Sequence, residues 1–155
     1  MKKTYCRALQ LISIFLILLI AFSLFELFPA GIDLVFKNND NGKLIWNIIA
    51  WVELLPILYC GLMFICIYEN IYKDKIFTSK NLGYLKVIRL AVVLNIFIVL
   101  LCNISAMVLS LQTMHLMIIN IIFLLMLTMV YAALSLVCML MNDAVNLQDD
   151  SDLTI

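Results

Sequence analysis

"LAVVLNIFIVLLCNISAMVLSLQTMHLMIINIIFLLMLTMVYAALSLVCMLM" occupies residues 90–141 and contains no Asp, Glu, Lys or Arg. As one helix it would measure roughly 75–80 Å at about 1.5 Å per residue, more than twice a hydrocarbon core of about 30 Å. It therefore has to fold back once. The one polar cluster inside it is "SLQTMH", residues 110–115, and a reversal there divides the run into a span over about 87–109 and another over about 116–141. Segments this apolar call for lipid as their solvent, and in lipid each must satisfy its own backbone as a helix.

Two further apolar runs lie toward the N-terminus, over about 8–28 and about 44–68. The first ends at "PAGID", residues 29–33, where Pro-Ala-Gly reads as a helix stop. The second follows the polar stretch "DLVFKNNDNGK", with Asn41-Gly42 as a turn candidate, and is interrupted only by Glu53 and Pro56. Lys2, Lys3 and Arg7 precede the first run much as they would in a signal peptide. That run exceeds the usual roughly 7 to 15 apolar residues and lacks a small-x-small cleavage site, so it reads as a retained span. With 66% hydrophobic residues in 155 and a mean hydropathy of +1.13, the chain is expected to be an all-α integral membrane protein. Its four transmembrane helices would form one antiparallel bundle.

Net charge is zero, with ten basic and ten acidic residues, so only the placement of charge is informative. Half of the basic residues (Lys73, Lys75, Lys80, Lys86 and Arg89) fall in the loop between the second and third spans. Short loops rich in Lys and Arg stay in the cytoplasm. Lys2, Lys3 and Arg7 share that side by parity, whereas the other side receives Lys37 and Lys43 and an uncharged turn. The expected orientation is N-in and C-in. Beyond the last span, residues 142–155 form an acidic tail with Asp143, Asp149, Asp150 and Asp152, and acids weigh little in that rule. Thr78 or Ser79 is an N-cap candidate, so the third helix should begin in the basic loop and hold its cations at the headgroups. Attraction to anionic lipid explains such a loop, and no aromatic-basic module for direct nucleic-acid binding accompanies it. Trp46, Trp51, Tyr68, Tyr72 and Tyr84 near span ends read as interfacial anchors.

Within the membrane, Glu53 lies about nine residues, roughly 13 Å, inside the second span. An intramembrane carboxylate suggests an ion or proton site, but with Glu26 the only other acid in an expected span the favoured reading is a protonated or hydrogen-bonded structural group. Pro56 should free backbone carbonyls and kink the same helix. Small and polar residues recur at helical spacing as Ala91, Asn95, Cys102, Ala106 and Ser110, as Ala50, Glu53 and Cys60, and as Thr128, Ala132 and Ser135. Such stripes let helices approach closely and hydrogen-bond in lipid, which turns Glu53 and Asn95 inward. His115 reads as a solvated loop residue. The five cysteines form no CxxC pair and read as small hydrophobes rather than disulfides or metal ligands. No phosphate loop, catalytic triad, carboxylate pair or metal spacing is present, so a non-enzyme without metal or cofactor is expected.

Two stretches resemble a known family. "IFTSKNLGYLKVI", residues 76–88, is similar to the Phe-(Ser/Thr)-x-x-Asn-x-x-x-Leu-(Lys/Arg) pattern in the second loop of the bacterial membrane family called domain of unknown function 2975. "ALSLVCMLMNDAVNLQDDSDLTI", residues 133–155, resembles that family's ending, an acidic stretch closing on Asp-x-(Asp/Glu)-Leu-Thr-(Ile/Val). "MNDAVNL" stands where many relatives have basic or glycine residues. The resemblance implies a small protein of the bacterial plasma or inner membrane, often encoded beside a short helix-turn-helix regulator, and carries over no catalytic residue.

Three readings of function follow. The first is a membrane protein of unknown biochemical activity whose basic loop and acidic tail hold or modulate a cytoplasmic helix-turn-helix regulator. The second is a small homo-oligomeric transporter or channel using Glu53. The third is an immunity or envelope-stress protein that blocks a membrane-active peptide.

Overall fold

The computed structural model describes the backbone of residues 2–73 and 75–153 and the side chains of residues 4–73 and 75–148. The side chains of Lys2, Lys3, Asp149, Asp150 and Asp152 lie outside the described residues. The described chain is helical: α1 (Lys2–Phe22), a π-helical turn (Ser23–Leu27), α2 (Phe28–Val35), α3 (Asp40–Tyr72), α4 (Ser79–Val108) and α5 (Met114–Leu153). Four stretches are long and apolar enough to cross a membrane: Thr4–Val35, Asp40–Tyr72, Ser79–Val108 and Met114–Gln148. Side chains such as Val108, Met129 and Phe25 stand 78%, 73% and 66% exposed in the isolated chain. So much uncovered apolar surface would be untenable in water and is natural against lipid.

The expected stop at Pro29-Ala30-Gly31 does not end the first helix. Proline lacks an N–H, and its ring crowds the carbonyl four residues back. The chain answers with a wider turn just upstream, in which the Phe28 N–H bonds the Ser23 carbonyl, and helix resumes through Val35. Such a π turn absorbs a local mismatch without ending the helix. The reversal comes instead at Lys37-Asn38, and Asn41-Gly42 lies in the first turn of α3. Asn39 caps that helix, its side-chain oxygen accepting the Gly42 N–H at 3.0 Å. A Cβ on Gly42 would meet the Phe36 ring at 2.8 Å, so glycine here serves close packing rather than a turn. Pro56 sits inside α3, which remains helical on both sides of it.

The second reversal falls where "SLQTMH" placed it, between Val108 and Met114. Ser110 adopts a left-handed conformation, φ 56°. Its N–H bonds Met107, and the Leu111 N–H reaches back to Ala106 at 3.0 Å, a helix end that glycine usually makes. Trp46 fastens this turn, with its Nε1–H donating to the Leu111 carbonyl at 3.0 Å. Trp46 is 1% exposed and so is a packed core residue, not an interfacial anchor. His115 is exposed in the first turn of α5, so it belongs to a helix rather than a loop.

The helices stand in the order α1, α3, α4, α5, each packed on the next, and the backbone of α1 makes no close approach to that of α4 or α5 among the described residues. The bundle is therefore open between its outer members. One core joins Cys60, Ile67, Ile88, Val92, Val99 and Leu134, and a second lies around Ile32, Trp46, Ile49 and Ala106. On α3 and α4 the small and polar stripes are buried at Ala50, Glu53, Cys60, Asn95 and Ala106. Ser110 has left the helix, and of the expected α5 stripe only Ser135 turns inward, half-buried with its hydroxyl enclosed. Thr128 and Ala132 are exposed, whereas Asn120, Leu127, Leu134, Cys138 and Val145 form the packed face. That face is apolar like its opposite, so small residues do not mark it.

Candidate functional site

Three groups of polar residues stand out along the bundle. The first lies in the basic loop joining α3 to α4. Thr78 caps α4, its hydroxyl oxygen accepting the Asn81 N–H at 3.3 Å, as the sequence led one to expect. Asn81 itself is 0% exposed. Its amide nitrogen donates to the Lys75 carbonyl at 2.8 Å and the Ile76 carbonyl at 2.9 Å, and its oxygen accepts from Asn70 Nδ2 at 2.7 Å. One side chain thus stitches the end of α3, the loop and the first turn of α4 together. The residues that carry the family resemblance here are the ones that build the loop: Thr78 caps it, Asn81 pins it, and Leu85 enters the core.

Around this pin the cations are arranged differently from one another. Lys73 pairs with Glu69 at 2.6 Å, one helical turn back, and Lys80 lies 5.9 Å from the centre of the Tyr84 ring. Lys75 and Lys86 are exposed, and Arg89 is half-buried. Arg7 of α1 joins the same end of the bundle by donating to the Tyr72 hydroxyl at 3.1 Å, with its guanidinium 5.1 Å from that ring's centre. At the opposite end Lys43 faces Asp33 at 3.7 Å and Asp40 at 3.4 Å, so positive charge there is matched by carboxylates.

The second group is Glu53 with Asn95, 6% and 1% exposed. Neither Glu53 Oε1 nor either amide atom of Asn95 has a hydrogen-bond partner among the described residues. The contacts of Asn70 with Asn81 and of Trp46 with Leu111 fix the α3–α4 register. In that register Glu53 stands nearer the level of Cys102 on α4 than that of Asn95, so the two are separate buried polar sites along the helices. The third group was not anticipated. Asn103 donates to the Val99 carbonyl at 2.8 Å, and its oxygen accepts from Gln112 at 3.2 Å and from the buried Asn120 at 3.0 Å. The signal available was Asn103 and Asn120, on opposite sides of the reversal at 110–115 and so brought level by it.

Beyond Met141 the acidic segment continues as helix, since α5 runs unbroken to Leu153, and Asp143 is exposed on it. Tyr68 stacks on Phe64 and Trp51 meets Phe25 edge to face, so both anchor candidates also make contacts within the chain.

Four apolar helices long enough to cross a bilayer, with Glu53, Asn95 and Asn120 buried between them and most charge near their ends, define a multi-pass helical membrane protein. The chain belongs to the family described as protein of unknown function (DUF2975), whose sequence model matches residues 30–155. The match covers α3, α4 and α5 and begins just after the π turn of the first span. Neither the curated proteins nor the solved structures provide a match.

Proposed function

We propose that this protein is a non-catalytic anchor in the bacterial plasma membrane, with four antiparallel spans and both termini in the cytoplasm. Its inner end would hold a soluble helix-turn-helix regulator against the bilayer. Orientation rests on the excess of Lys73, Lys75, Lys80, Lys86 and Arg89 at one end, together with the carboxylate partners of Lys43 at the other. The observation that carries the reading is the Asn81 pin. A loop whose only task was to connect two helices would have no need of a fully buried amide with three bonds. A loop that presents cations in a fixed arrangement does, because a pre-ordered surface loses less entropy on binding. In the proposed topology the acidic segment, which continues α5 as helix, shares that side. Its carboxylates and the loop cations can pair or be released to a partner, since exposed pairs contribute only about 0–1 kcal/mol each.

The test uses a helix-turn-helix protein encoded beside this chain and measures the fraction that sediments with membranes. Full-length chain is compared at equal abundance with a chain lacking residues 146–155 and with Lys75→Glu/Lys80→Glu. Loss of sedimentation in either variant supports the anchor. An unchanged fraction removes the acidic segment or the loop respectively, and a regulator that stays soluble throughout ends the proposal.

A second reading is favoured by one observation, the unpartnered carboxyl oxygen of Glu53 deep in α3. Buried ionisable groups in membrane helices commonly sit on proton or ion paths. In this reading the chain is a small transporter, and purified protein in liposomes gives a pH-dependent flux that Glu53→Gln abolishes.

A further inference from the structure

Because the backbones of α1 and α5 stay apart, the bundle leaves a cleft between them, over the seam of α3 and α4. Its volume is about 410 Å³. α1 lines it with Ser13, Leu16, Ile17 and Ile20, and α5 with Phe123, Leu127, Val130 and Leu134. Those spacings, three and four residues at a time, mean that each helix turns one whole face to the cleft. The floor includes Gly61, where a Cβ would strike Ile17 Cγ1 at 2.8 Å, so glycine draws α1 tightly onto α3 beside the cleft.

The occupant follows from three observations. The lining is apolar apart from a hydroxyl or thiol at Ser13, Tyr68 and Cys60, so water would find few partners there, and dense packing needs carbon. Along α3 the lining runs from Ile57 to Tyr68, about 16 Å at 1.5 Å per residue, which is half of a hydrocarbon core of about 30 Å. The cleft therefore reaches about one leaflet deep. Finally, its Tyr68 end is the basic end. Tyr68 lies one turn from Tyr72, which accepts from Arg7. Arg89 directly follows the cleft residue Ile88, lies one turn from the cleft residue Val92, and forms no ion pair among the described residues. Glu69 at this end is already taken by Lys73, and Asp143 is exposed on α5.

We propose that the cleft binds one acyl chain of an anionic phospholipid from the leaflet at the basic end, with the headgroup phosphate held by Arg89. Basic residues at the mouth of an interhelical pocket are suited to such headgroups. Long cationic side chains near helix ends extend toward the interface, where the phosphate lies.

Full-length protein is reconstituted with phosphatidylglycerol and phosphatidylcholine of matched chains, and retained lipid is measured by native mass spectrometry. Wild type retains one phosphatidylglycerol per chain in preference to phosphatidylcholine. Leu16→Trp/Val130→Trp, which fills the cleft, lowers retention of both lipids about tenfold, equivalent to roughly 1.4 kcal/mol. Arg89→Gln removes the preference for phosphatidylglycerol while phosphatidylcholine retention is unchanged. Equal retention by wild type and the cleft-filled variant overturns the proposal, as does a dimer of this chain cross-linked through Ser13 or Val130. A phosphatidylglycerol carrying a diazirine in its chain gives a check that needs no variant. Adducts on Ile17 or Leu127 support the site, and adducts confined to outward residues such as Leu18 and Met129 overturn it.

Discussion

Asn81 and Asn95 lie on the same helix, fourteen positions apart in numbering, and are buried to the same degree, at 0% and 1% exposed. Their surroundings are opposite. Asn81 gives or takes three side-chain hydrogen bonds, whereas both amide atoms of Asn95 are unpartnered, as is one carboxyl oxygen of Glu53 on α3. Removing an amide from water is costly unless hydrogen bonds replace those lost. The first site therefore stabilises the fold and fixes a loop, and the second holds polarity that the fold does not need. Burial of a polar residue does not by itself say which of these it does; its bonds do.

The most severe way to break this contrast is Glu53→Lys. A lysine deep in a span costs on the order of 3 kcal/mol on insertion scales, and the variant should accumulate poorly in the membrane. Accumulation equal to wild type would mean that Glu53 is open to water. Next comes Asn81→Leu, which strands the Asn70 amide and the Lys75 and Ile76 carbonyls. It should lower stability by about 1–3 kcal/mol, read as thermal unfolding in detergent, and should speed hydrogen exchange in residues 75–79. A smaller effect is expected for Glu53→Gln, which keeps shape and hydrogen-bonding capacity and should leave the folded protein at wild-type abundance. Its loss would point to a charged partner for Glu53. Asn95→Leu should have the least effect on stability, within about 1 kcal/mol of wild type or slightly stabilising, because it removes polar atoms that have no partner. Should Asn95→Leu cost as much as Asn81→Leu, the contrast fails.

Much of the architecture was legible in the sequence because lipid imposes simple demands. Length against hydrocarbon thickness yields four helices, and the one polar cluster in residues 90–141 marks the reversal that occurs there. The Thr78 cap was likewise readable from its place before Leu82 and Leu85. What the sequence hid depends on contrast that a membrane protein lacks. In water an apolar stripe marks the inner face, but on α5 Leu127 and Leu134 face inward while Leu125 and Met129 face outward, with no difference in polarity between them. Small residues then mislead, as Thr128 and Ala132 did. Pro29 read as a stop because the π turn that accommodates it is invisible in composition. Trp46 read as an anchor because its depth was evident and its direction was not. Of the candidate site, Glu53 and Asn95 could be seen as lone polar residues in apolar runs. Asn81 escaped because an asparagine in a polar loop is ordinary until its partners are known.

The account centres on a pinned basic loop that faces the cytoplasm, and labelling of single cysteines in intact cells tests that most directly. In a chain whose five native cysteines have been replaced, Lys75→Cys and Asn38→Cys are exposed to a maleimide that cannot cross membranes. Asn38→Cys should react in intact cells, and Lys75→Cys only after the membrane is permeabilised. Reaction of Lys75→Cys in intact cells, with Asn38→Cys protected, would contradict the account.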